Sequence, residues 1–186
     1  AAQAKANPKV DGAGKFVASA ELVNYYMNPN NFGSGTPEYY QFIKLNSPII
    51  GLNVDNVNRA LLDGKGVLAG QAAAFVKAGQ QYQINELYLI SHALHETGNG
   101  TSELARGVRV GLDANGKATM VTPENEATLT DIKVAYNMYG IGAVDSGPLK
   151  FGSERAYEMG WFTVEAAVIG GSKFIRERYI DAGKDT

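Results

Sequence analysis

Glu96 is the side chain of this sequence whose position most clearly suggests chemistry. It ends an apolar segment and is followed at once by the polar, glycine-bracketed run TGNGTS at residues 97–102. A carboxyl group in the last turn of a helix faces the negative end of the helix dipole, which favours its protonated form. Such a group can deliver a proton to a leaving oxygen, as glycoside hydrolysis requires. The simpler alternative is a solvated acid at a helix end, and position alone slightly favours it.

Other side chains near Glu96 in sequence fit a metal site poorly. Adjacent residues on a helix diverge by about 100°, so His95 and Glu96 cannot face one ion, and the spacing typical of helical zinc sites is absent. We therefore expect no metal and no cofactor. His92 lies one turn before Glu96 and could tune it, although a hydrogen-bonded structural histidine is the simpler interpretation.

A buried helix is predicted to position Glu96. Asn85 is typical of a helix N-cap, and Glu86 suits the first turn because the helix dipole favours an acid there. The segment 85–97 is apolar nearly all round, which predicts a central, buried helix. Gly98 then provides a C-terminal stop.

Two motifs in this chain resemble the paired signatures of the bacterial glucosaminidases of glycoside hydrolase family 73. They are ALHETGNGTS at residues 93–102 and YNMYGIGA at residues 136–143, and the stretch 152–180 resembles the end of such domains. Two spaced motifs are far more specific than either one. The resemblance covers roughly residues 21–179. It implies a lysozyme-like helical domain of an autolysin, which hydrolyses the GlcNAc-β-1,4-MurNAc bond of peptidoglycan with Glu96 as general acid.

The same resemblance suggests which side chains contact the sugar. Asn137 and Tyr139 match residues that line the family's cleft, and both types can hydrogen-bond or stack on a sugar. Tyr136 beside them and Asn99 in the loop after Glu96 are predicted to bind substrate as well.

The second catalytic group is less well defined by the sequence. A glycosidase needs a base, a nucleophile or an assisting group on the substrate besides its acid. Glu124, Glu126 and Asp145 are the candidates, and each taken alone could be a surface acid. We favour Glu124 or Glu126, because a mobile hairpin lobe could carry either carboxylate over the opposite face of the cleft.

The overall pattern predicts a mainly α (α+β) fold with a small β-hairpin lobe. Alternating residues around the turn sequence DANG predict the hairpin between residues 107 and 121. Gly170 and Gly171 are costly inside a helix and suggest that another backbone packs close to them. Besides 85–97, helices are predicted at residues 19–27, 53–62, 67–82, 153–159 and 163–179.

Composition limits the partners and the domain count. The chain has 186 residues and no cysteine, which excludes disulfides, a thiol nucleophile and thiolate metal sites. Its formal net charge of −2, without a long run of one charge, does not favour nucleic acid, and no segment has the roughly 20 apolar residues of a membrane span. We predict one domain at residues 15–186 behind a linker or leader at 1–14. The sequence shows no signal peptide. The family resemblance implies a secreted, wall-associated monomer attached to wall-binding modules.

Two competing functions remain at this point. A muramidase of the lysozyme type or a lytic transglycosylase would use the same fold and acid, but would cut the other bond or release an anhydro sugar. A non-catalytic glycan-binding module is the alternative outside enzymes, and the intact acid and loop argue against it.

Overall fold

The computed structural model describes residues 2–12 and 14–185, so Ala1, Ala13 and Thr186 of the predicted linker and domain lie outside the described residues. The chain divides into two compact units, one formed by the described residues up to Lys44 and the other by Leu45–Asp185. The predicted boundary at residue 15 stays a prediction.

The first unit is built from short helices and an aromatic cluster. Helix α1 (Ala2–Lys5) lies inside the segment predicted as a linker, and α2 (Ala20–Tyr26) begins at the predicted cap Ser19, whose Oγ accepts from the Leu22 backbone N–H at 3.2 Å. Two 3₁₀ turns follow at Pro29–Asn31 and Pro37–Phe42. The rings that pack edge-on or stacked beside them are Tyr25, Tyr26, Phe32 and Phe42.

The second unit holds the other helices and the sheet. Its helices are α3 (Val54–Val57), α4 (Ala72–Tyr82), α5 (Glu86–Glu96), α6 (Glu103–Arg106), α7 (Pro148–Glu158) and α8 (Val164–Ile175). A π-helical turn continues α3 through Asn58–Leu62, and another continues α8 through Arg176–Ile180. None of the helices in the described part of the chain combines the length and the apolar character needed to cross a membrane.

Helix α4 is shorter than the sequence pattern predicts. It begins at Ala72 rather than near residue 67, because Gly70 adopts a left-handed φ of 77° and interrupts the helix. The Ala72 backbone N–H donates to Asn58 Oδ1 at 3.0 Å, so a side chain from the preceding helical turn satisfies the start of α4. Helix α7 differs in the opposite sense, since it begins at Pro148 instead of residue 153.

Helix α5 is the predicted core helix. Leu89, Ile90 and Ala93 are at most 1% exposed, and Asn85 Oδ1 caps the helix by accepting from two backbone N–H groups, at 3.0 and 3.2 Å. The sequence predicts burial on nearly every side of this helix, but one side faces solvent, with three exposed residues spaced four apart: Leu87, Ser91 and His95.

The predicted hairpin is confirmed, and a third strand joins it. Strands β1 (Val108–Leu112) and β2 (Ala118–Met120) pair antiparallel, and β3 (Thr130–Ala135) pairs antiparallel with the other edge of β1. The sequence analysis missed β3, although Ile132 and Val134 alternate with charged residues in it.

Helix α7 fastens this sheet to the helical body. Glu154 Oε1, on a side chain only 6% exposed, accepts from the Met120 backbone N–H at 3.1 Å. The Tyr157 hydroxyl donates to the Asp131 backbone oxygen at 2.8 Å, and burial raises the pKa of Tyr157 to about 12. The lobe that carries Glu124 and Glu126 is therefore fixed at both of its outer strands.

The paired glycines of α8 admit aromatic rings and not another backbone, which corrects the prediction. A side chain at Gly170 would overlap the Trp161 indole, and one at Gly171 would overlap the Tyr139 ring. The helix tolerates two poor helix formers because their missing side chains let these large rings pack against it.

Candidate active site

The end of α5 places the Glu96 carboxyl group at the surface. Glu96 is the last residue of the helix, and its side chain is 38% exposed. Thr97 caps the helix from within: it is 1% exposed, its Oγ1 donates to the Ala93 carbonyl at 2.5 Å and accepts from the Gly100 N–H at 2.8 Å. Thr97 is therefore buried and makes two side-chain hydrogen bonds, which fix the backbone immediately after Glu96.

The loop after Glu96 is held by close backbone contacts. Gly100 has a φ of 76° and leaves no room for a side chain, because the Lys65 carbonyl oxygen occupies that space. The Gly100 carbonyl accepts from the Val67 N–H at 3.1 Å. Asn99, a predicted substrate contact, is exposed at the tip of this loop with a φ of 59°.

The opposite wall is the segment 137–142, which approaches Glu96 at Gly140. The first carbon of a side chain at Gly140 would lie 3.2 Å from Glu96 Oε2, and Gly140 has a φ of 63°. Both facts favour glycine, since any other residue would be strained and would crowd the carboxyl group. The glycine therefore keeps the space above this oxygen open.

Asn137 builds that wall from inside the protein. It is 2% exposed; its Nδ2 donates to the carbonyls of Ile141 and Gly152 at 2.8 and 3.1 Å. Its Oδ1 accepts from the N–H groups of Tyr139 and Ile141 at 3.3 and 3.2 Å. Since the chain itself uses both donors and both acceptor positions, we expect Asn137 to affect substrate binding through the loop and not by touching sugar.

Tyr139 is also buried, at 6% exposed, with its hydroxyl turned toward α8. Ser172 Oγ donates to the Val168 carbonyl at 2.8 Å, so the Tyr139 hydroxyl is the donor in its 3.2 Å contact with Ser172 Oγ. Burial raises the pKa of Tyr139, so the phenol stays protonated. Because the hydroxyl contacts Ser172, we infer that the ring is the part of Tyr139 that lines the cavity beside Glu96.

Tyr139→Phe is expected to keep near-normal turnover while lowering stability by about 1 kcal/mol, the typical cost of one hydrogen bond. Thermal unfolding and turnover on cell-wall glycan measure the two effects. Tyr136→Phe is the companion variant, since Tyr136 is half-buried and was predicted to bind sugar too. A large loss of turnover in Tyr139→Phe without a change in stability would contradict this assignment.

His92 lies between the acid and the aromatic wall. Its Nε2 is 3.6 Å from Glu96 Oε1, and its ring centroid is 5.4 Å from that of Tyr139 and 5.5 Å from that of Tyr88. Burial lowers the pKa of His92, with Glu96 opposing that effect, so the imidazole is neutral near pH 7.

Together these groups surround an open cavity of about 290 Å³. Glu96 provides its carboxyl group, and the far side is formed by α8 and the turn after it. The lining residues are His92, Glu96, Tyr139, Gly140, Ile141, Gly142, Ala143, Phe174, Ile175 and Tyr179. Sequence reasoning missed Phe174 and Tyr179, because nothing in a helical tail distinguishes rings that face a cavity from rings that face the core.

The candidate second carboxylates lie outside that cavity. Glu126 Oε1 is 2.6 Å from Arg109 Nη2, and this ion pair lowers the pKa of Glu126. A hydrogen bond from the Thr122 side chain lowers the pKa of Glu124. Asp145 is exposed. Glu124 and Glu126 are therefore ionised near neutrality, and within the described part of the chain a cation pairs with Glu126 but not with Glu124.

Among residues 2–12 and 14–185, no three histidine, aspartate or glutamate side chains lie close enough together to hold an ion.

Known proteins match this chain over most of its length. A family model described as glucosaminidase, mannosyl-glycoprotein endo-β-N-acetylglucosaminidase, matches residues 72–185. A β-N-acetylglucosaminidase of Bacillus subtilis (strain 168) is 53% identical over 163 residues, which are 88% of this chain. The chain spans only 16% of the length of that relative.

Solved structures agree with these sequence matches. The crystal structure of a major bifunctional autolysin aligns with a TM-score of 0.74 and 39% identity, and covers 100% of this chain and 71% of that one. A catalytic mutant of Staphylococcus aureus autolysin E, in complex with the disaccharide NAG-NAM, aligns with a TM-score of 0.59 and 29% identity. That match covers 96% of this chain and 67% of the other.

Proposed function

Because this chain belongs to the glucosaminidase family, we propose that it is an endo-β-N-acetylglucosaminidase that hydrolyses the GlcNAc-β-1,4-MurNAc bond of peptidoglycan. The observation that carries the proposal is the Glu96 carboxyl group, which opens into the cavity opposite Gly140. The catalytic mutant of autolysin E, a Glu-to-Ala change in a protein that binds NAG-NAM, supports a glutamate in this role.

In this proposal Glu96 acts as the general acid. Its proton passes to the glycosidic oxygen as the bond to the sugar carbon breaks and positive charge develops on the sugar. The buried helix and the capped turn after it hold the carboxyl group at a fixed point of the cavity wall. Positioning of this kind lowers the barrier because the acid need not search for its target.

Analysis of the new reducing ends tests the proposed bond. Purified peptidoglycan is digested with the protein, the products are reduced, and mass spectrometry identifies the terminal sugar. Reduced N-acetylglucosamine is the expected result. Reduced N-acetylmuramic acid would indicate a muramidase, an anhydro sugar would indicate a lytic transglycosylase, and undigested material would indicate a binding module.

We further propose that Glu124 assists the reaction in preference to Glu126. The Glu126 carboxylate is bound by Arg109, whereas Glu124 takes part in none of the ion pairs found among the described residues. The second group places or activates water on the opposite face of the sugar, unless the N-acetyl group of the substrate does so.

Glu124→Gln is expected to lower turnover, but by less than about a hundredfold, which is the smallest loss expected when a general acid is removed. The effect is smaller because the N-acetyl group of the substrate can partly replace the second catalytic group. Glu126→Gln serves as the matched control, with near-normal turnover. Digestion of the same peptidoglycan measures both. The reverse order of the two variants, or normal turnover in both, would remove Glu124 from the mechanism.

We also propose that this chain is the catalytic part of a longer, secreted protein that carries wall-binding modules and works as a monomer. The small share of the B. subtilis relative that it spans supports the additional modules. A net charge of −2 provides little attraction to an anionic wall, which supports a separate binding function.

A further inference from the structure

The His92 imidazole is the polar group of the cavity that the proposed chemistry leaves unexplained. Its Nδ1 is buried and has no hydrogen-bond partner among the described residues, whereas its Nε2 lies 3.6 Å from Glu96 Oε1. Buried polar atoms without partners are rare in folded proteins and require a reason.

The surroundings of His92 determine where its proton lies. The titratable groups that face or influence it are Glu96, His95 and Tyr88 on α5 and Tyr139 on the opposite wall, with Tyr179 acting on Tyr88. Of these, only Glu96 offers an acceptor near a ring nitrogen. A neutral imidazole has one N–H, which therefore belongs on Nε2, and Nδ1 keeps its lone pair.

We propose that His92 is a positioning residue for Glu96, which it orients by donating from Nε2 to Oε1. This inference rests on the proposed function of Glu96. A carboxylic acid that accepts a hydrogen bond at Oε1 carries its own proton on Oε2. Oε2 is the oxygen beneath Gly140, where the missing side chain leaves space for the substrate. His92 keeps its proton throughout, and the proton that reaches the glycosidic oxygen comes from Glu96.

The distance between His92 Nε2 and Glu96 Oε1 is consistent with a hydrogen bond that becomes shorter and stronger during the reaction. At 3.6 Å the contact exceeds hydrogen-bond distance, and catalytic hydrogen bonds are often long in free enzymes and shorten when substrate binds. When Glu96 loses its proton, the Nε2–H faces a full negative charge, and hydrogen bonds to charged groups are the stronger kind. His92 thereby stabilises the ionised acid as the proton leaves.

Two substitutions separate this role from packing. His92→Phe keeps a ring between Tyr88 and Tyr139 but removes the donor, and His92→Gln places an amide N–H near the position of Nε2. We expect His92→Phe to lower kcat about tenfold or more, as loss of a hydrogen bond to a charged group does, with KM unchanged. The basic limb of its kcat–pH profile should move to higher pH, because ionised Glu96 has lost a donor. His92→Gln should recover most of kcat.

The combination with Glu96→Gln tests whether His92 acts through the acid. Adding His92→Phe to Glu96→Gln should change the residual rate little, because the group that His92 orients is already gone. If His92→Phe has normal kcat and an unshifted pH profile while Glu96→Gln is inactive, the inference fails and the proposed function stands. If Glu96→Gln itself stays active, the proposed function fails.

A measurement on the unmodified protein keeps the inference testable even if His92→Phe does not fold. The ¹⁵N chemical shifts of the imidazole report which nitrogen carries the proton. We expect the proton on Nε2 at pH 7, with Nδ1 unprotonated. A proton on Nδ1 would leave no donor facing Glu96 and would overturn the proposal.

Discussion

Glu96→Gln is expected to abolish cleavage of peptidoglycan while the fold stays intact. The amide keeps the shape and hydrogen-bonding capacity of the side chain but has no proton to give to the leaving oxygen. Loss of a general acid costs roughly a hundred- to ten-thousandfold in rate. Stability should change little, because the Glu96 side chain is 38% exposed and the histidine 3.6 Å from it, its partner in the contacts of the described residues, is neutral.

The experiment needs a control that makes the same change at a similar place. Glu158 is the last residue of α7, as Glu96 is of α5, and its carboxylate pairs with Arg155 at 3.1 Å. Glu158→Gln should keep full activity. Turnover on purified peptidoglycan, thermal unfolding and co-sedimentation with cell walls are measured for both variants. If Glu96→Gln keeps near-normal turnover while Glu124→Gln or Glu126→Gln is inactive, the acid is misassigned and the loop 97–102 is structural.

The helix that positions Glu96 could be predicted from sequence because its signals are local. An N-cap needs only Asn85 and the N–H groups two and three residues later, and the helix stop needs only a glycine with a positive φ at residue 98. The hairpin is equally local, since Asp113 Oδ1 accepts from the N–H groups of Asn115 and Lys117 at 2.8 and 3.0 Å. Interactions across a few residues leave a pattern in the sequence.

Features that depend on distant contacts could not be predicted in the same way. The close approach at Gly171 was expected, but only the fold brings the Tyr139 ring there. The start of helix α4 at Ala72 is capped by the Asn58 side chain, which lies fourteen residues earlier in the chain. Strand β3 has little burial to mark it, since four of its six residues are exposed.

The site shows the same limit for polar residues. Asparagine and tyrosine bond equally well to a sugar or to the protein backbone, so their type and their place in a motif cannot decide between these roles. Glu96, whose role requires exposure at a helix end, could be proposed from sequence. The burial of Asn137 and of the Tyr139 hydroxyl became visible only in the structure.

Asn137→Ala is expected to cause a large loss of stability. It removes four hydrogen bonds that tie Tyr139, Ile141 and Gly152 together inside the protein. Each hydrogen bond contributes a net stability of about 1 kcal/mol, and a buried group left without a partner costs more. The free energy of unfolding should therefore fall by roughly 3–5 kcal/mol. The melting temperature should fall by roughly 10 °C for a chain of this size.

Turnover measured well below that lowered melting temperature separates loop geometry from unfolding. Since Asn137 holds the wall that carries Gly140 against Glu96, kcat should fall even in the folded fraction, while the acidic limb of the pH profile keeps its position. Asn58→Ala is the matched control. Asn58 is half-buried, its Oδ1 accepts a hydrogen bond from the Ala72 N–H, and it does not belong to the residues that line the cavity. We expect Asn58→Ala to lower the free energy of unfolding by about 1 kcal/mol and to leave turnover unchanged. Equal stabilities and equal rates for the two variants would show that Asn137 does not organise the site.

Asn137→Asp makes the comparison stricter. The aspartate keeps the shape of the side chain but turns a charged oxygen toward two carbonyl oxygens, so this variant should be at least as damaging as Asn137→Ala.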